Sequence, residues 1–167
     1  VAAVRRIEAD TGIALPDGYE SEVCTGLTPW FESIAYSLER GVLLFIDYGL
    51  PRREYYSAER TRGTLLCHFR HRFHDDALIR VGLQDITAWV DFTAVAEAAQ
   101  GAGCEVAGYT TQAHFLIDCG LGDFVEQTDV VRGDRSIRDR LDGEDSAALL
   151  ALCLLSRCGV GEKPQPA

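Results

Sequence analysis

The run Gly41-Val-Leu-Leu-Phe-Ile-Asp-Tyr-Gly49 constrains the fold of this chain more than any other segment. Five consecutive apolar residues, Val42 to Ile46, predict a strand covered on both faces. That belongs to a parallel sheet flanked by helices rather than to a half-wet hairpin. The strand is expected to stop at Asp47, Tyr48 and Gly49. Ligands in open α/β sheets collect beyond the carboxyl ends of such strands, so these residues are site candidates. The plainer reading of Asp47 is that it starts a turn. The preceding segment supports an α-then-β order. Thr28 suits a helix cap with Pro29 at the first helical position, Trp30, Phe31, Ile34 and Leu38 give an apolar face, and Gly41 ends it.

Composition narrows the classes. A chain of 167 residues fits one domain with a substantial core. A formal net charge of −10 argues against non-specific binding to nucleic acid or to membrane surfaces. No apolar stretch approaches the length of a membrane span, and the first residues lack the order of a secretory signal. The six cysteines form no C-x-x-C pair and read as mostly buried thiols in a reducing compartment. There is no methionine, no Gly-x-Gly-x-x-Gly and no P-loop. Either no nucleotide-like cofactor binds, or the glycine-rich loop lies upstream in a longer protein.

Periodicity predicts further elements. Val1 to Asp10 reads as a helix ended by Gly12, and Leu15 to Tyr19 as a turn. Leu50 to Arg62 reads as a long polar surface loop, Gly63 to Phe69 as a strand, and Arg70 to Asp85 as irregular. Asp91 or Thr93 should cap a helix to Gln100, Cys104 to Tyr109 should be a strand, and Thr110 or Thr111 should cap a helix through Ile117. Residues 1–131 then form the main domain. Residues 132–167 are expected to be a charged linker, a short helix over Ser146 to Leu155 and a loose tail.

Several side chains invite chemistry. Asp85, Thr87 and Asp91 fall on one face if their segment stays extended, and paired carboxylates orient a guanidinium or act as bases. Asp91 also suits a helix cap. Gln112 and His114 lie in the first turn of a helix, where polar ligands are favoured. His68, His71 and His74 suggest a metal, but three-residue spacing on a strand alternates faces and matches no standard zinc pattern. No metal is expected.

The ordered series Leu15-Pro-Asp-Gly-Tyr-Glu-Ser-Glu22, Gly41 to Gly49, Gly63-Thr-Leu65, His71, Asp85-Ile-Thr87, Val90-Asp-Phe92, Thr111-Gln112 and Phe115-Leu116 resembles the carboxyl-terminal half of the MidA-type methyltransferases. Their mitochondrial relative is the arginine methyltransferase needed for respiratory complex I assembly. The resemblance runs from about residue 15 to 122. It implies an α/β fold: part of a Rossmann-like class I methyltransferase sheet with flanking helices, its N-terminal half missing. It implies S-adenosylmethionine as cofactor, with the main binding loop absent from this chain, and a protein substrate bearing an arginine. Asp47, Asp85 and Asp91 would be the acids, and Tyr48, His71, Thr87 and Gln112 would line the substrate side. The chain alone is expected to be inactive, cytoplasmic in a bacterium, and prone to self-association through an exposed sheet edge. Two rival readings are a non-catalytic interaction module using the Arg/Tyr-rich loop 50–72 and a metal-dependent hydrolase built on the three histidines.

Overall fold

A computed structural model describes residues 2–121 and 150–157. The element order is α1 (Ala2–Thr11), α2 (Leu27–Ser37), β1 (Gly41–Leu50), α3 (Arg52–Tyr55), β2 (Leu66–Phe69), β3 (Arg72–His74), β4 (Asp85–Thr87), β5 (Val90–Asp91), α4 (Phe92–Gly101), β6 (Glu105–Thr111), α5 (Gln112–Asp118) and β7 (Leu150–Arg157). The fold is α/β. A four-stranded sheet has the order β5-β1-β7-β6, and a separate three-stranded sheet has the order β3-β2-β4.

The expected parallel layer is only partly parallel. β5 runs parallel to β1, pairing at Gly49 and Leu50, whereas β7 lies antiparallel between β1 and β6. Leu150 to Leu155, whose composition suggests a helix, is therefore strand. Leucine and alanine are helix formers, but here β7 finds ladder partners on both sides, from Gly41↔Arg157 to Tyr48↔Leu150 and from Glu105↔Ser156 to Thr111↔Ala151. A slot hydrogen-bonded on both edges overrides a propensity of a few tenths of a kcal/mol per residue, about 0.7 at most. The linker at 132–145 and the tail at 159–167 lie outside the described residues.

β1 also differs from expectation at its end and on one face. It runs on through Asp47, Tyr48 and Gly49 to Leu50. Burial alternates along it: Leu43 and Phe45 are half-buried, but Val42, Leu44, Ile46 and Tyr48 are 59, 44, 49 and 51% exposed. The covered side packs on α2 and α4. Phe31 and Ala35 of α2 meet Phe92, Val95, Ala98 and Ala99 of α4, with Leu43 and Phe45 against them. Phe45 lies edge-on to Phe31 and Trp30, with centroids 5.5 and 5.7 Å apart. The start of α2 is Gly26, without a side-chain cap, so Thr28 lies inside the first turn. Pro29 is tolerated there because the first N–H groups of a helix have no internal acceptor.

Asp91 and Thr111 cap α4 and α5, accepting from the backbone N–H groups of Ala94 and His114. Gly12, at φ 68°, lies just past α1. The stretch expected to be irregular holds a hairpin: Arg70 and His71, at φ 48° and 63°, form the two-residue loop joining β2 to β3. Two left-handed residues match the twist of a tight hairpin. Among the described residues no helix is long and apolar enough to cross a membrane.

Candidate functional site

The segment after β1 keeps Arg53, Glu54, Glu59 and Arg62 on the surface, as expected, but turns three side chains inward. Arg52, Tyr55 and Tyr56 are buried, and both tyrosine rings pack with Ile7 of α1, flanked by Leu15, Tyr19, Leu50 and Trp89. These residues are thus not displayed to a partner. Arg52 joins three elements. Its guanidinium donates to Asp10 of α1 (2.6 Å), to Asp91 (3.1 Å) and to both oxygens of Glu97 on α4 (2.9 and 2.5 Å), while its backbone N–H donates to Thr93 Oγ1 (2.9 Å). Arg6 reaches the same Glu97 at 2.9 Å. The hydrogen bonds from Arg52 hold the Glu97 carboxyl below its usual range, burial opposing them. Glu97 in turn holds Arg52 in its charged form.

A second polar knot centres on Glu22. Its carboxylate accepts from the backbone N–H groups of Thr64 (3.1 Å) and Leu65 (2.9 Å), from Thr64 Oγ1 (3.2 Å) and from the Tyr55 hydroxyl (3.1 Å). Thr64 Oγ1 also accepts from Trp89 N–H at 2.9 Å, and the Tyr56 hydroxyl donates to the Glu22 carbonyl at 3.0 Å. Arg60 lies over the Trp89 ring, 5.1 Å from its centroid. Burial pushes the Tyr55 hydroxyl up to about 12 and raises Tyr56 as well.

Two cavities share Glu22 and Trp89 as a common wall. One, of about 610 Å³, is lined by Glu20, Arg60, Gly63, Thr64 and Leu66. The other, of about 740 Å³, is bounded by Ile7 of α1, Cys24, Tyr56, Asp91 and Glu97. Acids outnumber bases on the wall of the larger cavity: Glu22, Asp91 and Glu97 against Arg6 and Arg52. All five are already partnered: Asp91 and Glu97 by Arg52 and Arg6, and Glu22 by N–H and hydroxyl donors.

Of the acids expected at the site, only Asp91 lines either cavity, and its oxygens already serve Arg52 and the start of α4. Asp47 is exposed within β1 and accepts from Tyr48 N–H at 2.8 Å. Asp85 is exposed on β4 and accepts from Thr87 Oγ1 at 3.1 Å. The stretch from Asp85 to Asp91 is divided between two sheets, β4 in the three-stranded one and β5 in the four-stranded one. Asp85 and Thr87 do share a face of β4, joined by that hydrogen bond, but Asp91 stands in the other sheet. Tyr48 stands on the exposed face of β1, His71 in the β2–β3 loop, and Gln112 at the start of α5. In the small sheet His68 faces Phe73 and His74 faces Cys67 across the ladder, so the two histidines point to opposite sides. Among the described residues no group of three His, Cys, Asp or Glu side chains could hold a metal ion.

Glu22, Tyr55, Thr64 and Trp89 escape a reading of the residues alone. Glu22 lies 42 residues from Thr64, and no periodicity links them. The only signal is that both fall in short motifs carrying the family resemblance.

Glu22 gives a pH prediction. Burial pushes its carboxyl up, but the N–H groups of Thr64, of its own backbone and of Leu65, together with the Tyr55 hydroxyl, outweigh burial and hold it low. A folded value below the unfolded one, near 4.5, adds stability above that pH, and this is lost as pH falls through the lowered folded value. Glu97 acts in the same direction. Urea midpoints should therefore fall on acidification below about pH 4.5. In Glu22→Gln that acid slope should be shallower and stability at pH 7 lower by about 1–3 kcal/mol, because an amide N–H₂ would face N–H donors.

A family model described as "putative S-adenosyl-L-methionine-dependent methyltransferase" matches residues 2–110. Two solved structures from Burkholderia thailandensis are similar. One, described as a "likely methyl transferase" bound to S-adenosyl-homocysteine, has a TM-score of 0.79 at 36% identity and covers 94% of this chain and 41% of its own. The other, an uncharacterized protein of the same superfamily, has a TM-score of 0.79 at 35% identity, with 94% and 44% covered. This chain thus spans less than half the length of these relatives. No curated protein matches it.

Proposed function

Since the chain belongs to the family of S-adenosyl-L-methionine-dependent methyltransferases, we propose that it forms the carboxyl-terminal part of a MidA-like protein arginine methyltransferase and is inactive alone. The observation that carries this reading is the close likeness, over 94% of the chain, to a relative bound to S-adenosyl-homocysteine of which the chain spans 41%. The cofactor would supply an electrophilic methyl group. The strand-to-helix turns described here are poor cradles for it. Asp91 and Thr111 already fill the N-termini of α4 and α5 with their own oxygens, and neither turn is glycine-rich. The main cofactor loop would thus come from polypeptide outside this sequence.

What this chain would contribute is the substrate side. A guanidinium is a poor nucleophile while protonated, so its transfer reaction needs acids that orient it and take up a proton. The larger cavity is walled by three acids and two arginines, and Asp91 keeps that wall in shape by holding Arg52. We assign Asp47 and Asp85, whose carboxylates are exposed, to contacts with the substrate protein, beside Tyr48, His71, Thr87 and Gln112.

Calorimetric titration of S-adenosylmethionine into the 167-residue chain should give no saturable heat. Tight stoichiometric binding would overturn its dependence on further polypeptide. A chimera that adds the uncovered part of the Burkholderia relative should transfer labelled methyl groups to protein arginine. Label found on lysine alone, or on a small molecule alone, would refute the arginine assignment.

A further inference from the structure

Positive charge is gathered in one stretch of an acidic chain. From Arg60 to His74 there are four arginines, three histidines and no acid, within a formal net charge of −10. The fold brings part of this stretch to one point of the small sheet. Arg70 lies over the Phe69 ring, 5.2 Å from its centroid, and Arg80, from the loop between β3 and β4, lies 4.6 Å from the same centroid. Arg72 is the cross-strand partner of Phe69 and so stands on the same face. All three arginines are exposed, and among the described residues none of them forms an ion pair. The neighbouring acids are engaged elsewhere: Asp75 with Arg62, Asp76 with the backbone N–H of Leu78, and Asp85 with Thr87. Three like charges around one ring repel one another, and the negative face of the ring offsets this only in part. An anion set between them removes the repulsion.

The kind of anion follows from the surroundings. The three arginines line neither of the two cavities and stand on an open surface. That suits an extended row of carboxylates, each taking paired N–H donors from a guanidinium, better than one compact phosphate. Leu78 and Val81 lie on either side of Arg80 in the same loop and are 84 and 73% exposed. Aliphatic side chains offer packing to an apolar residue of a protein but no platform for stacking bases. Guanidinium groups beside exposed apolar side chains mark protein-binding surfaces. We propose that Arg70, Arg72 and Arg80, with Leu78 and Val81, dock an acidic segment of the substrate protein, its carboxylates on the guanidiniums and an apolar side chain against the loop. This rests on the functional reading above and names the chemistry of the partner: His71, given there to the substrate protein, shares the hairpin loop with Arg70.

The test titrates the 167-residue chain into a short fluorescein-labelled peptide, with leucines set among glutamates, and reads fluorescence anisotropy. Saturable binding that weakens with added salt is expected. The triple variant Arg70→Gln/Arg72→Gln/Arg80→Gln should bind at least about tenfold more weakly, with circular dichroism unchanged because all three side chains are exposed. Arg5→Gln/Arg40→Gln/Arg53→Gln removes the same charge from exposed positions elsewhere and should bind as the parent does. The proposal is overturned if the peptide does not bind, if both triple variants weaken it equally, or if a peptide with glutamine in place of glutamate binds as well. Binding of a phosphoserine peptide or of single-stranded RNA alone would also overturn it, as would a homodimer, seen by sedimentation, that the first triple variant dissolves. Peptide binding intact in a chimera that transfers no methyl group would count against the functional reading and leave the docking surface standing.

Discussion

Arg52→Ala should cost the fold about 3 kcal/mol, within the range for removing one partner of a buried ion-paired cluster. The guanidinium is 8% exposed and is the only described contact shared by Asp10, Asp91 and Glu97. Its loss leaves Asp91, only 11% exposed, without its cation, and that residue dominates the effect. Asp10 and Glu97, at 39 and 37%, are partly screened by water and add less. With a urea slope of about 2 kcal/mol per molar, the midpoint should drop by about 1.5 M. Arg52→Lys should recover only part of this, since an ammonium cannot serve three carboxylates with a planar fork of donors. Because α1 is tied to the body through Asp10 and Arg6, its amide protons should exchange faster in the alanine variant. An unchanged midpoint would show that the cluster contributes no net stability.

Gly49→Ala should be comparably severe for a steric reason. Gly49 is buried where β1 and β5 meet, and an added Cβ would overlap the Val90 carbonyl oxygen and come within 2.7 Å of the Phe92 ring. The first obstacle is backbone in the paired strand and the second is a core side chain, so neither yields cheaply. A loss of about 3 kcal/mol is expected, at the upper end for overpacking. Gly101→Ala is the control. It ends α4 with nothing within 4 Å of the added Cβ, and should raise stability by about 0.5–1 kcal/mol through helix propensity. Equal midpoints for the two variants would show that the β1–β5 contact relaxes freely.

The elements read correctly from residues alone carry local causes. α1 shows its apolar stripe, Asp91 and Thr111 bring their own capping oxygens, and β6 follows the glycine-rich end of α4. The errors fall where a distant partner decides. Leu150 to Leu155 has no local reason to be a strand, and only two waiting ladders make it one. Arg52 and Tyr55 look like surface residues until acids of α1 and α4 and the side chains of Ile7, Tyr19 and Trp89 enclose them. The site divides in the same way. Asp91 was recognisable both as an acid and as a cap, but Glu22 gains meaning only from Thr64 and Tyr55 beside it.

Family membership and the α/β class were therefore legible in the chain itself, because ordered short motifs and periodic apolar stripes are properties of neighbours in sequence. Which face of β1 is covered, where β7 inserts and which acids share a wall were settled only by tertiary structure. Those outcomes depend on hydrogen bonds and burial between residues tens of positions apart, whose energies leave no mark on local pattern.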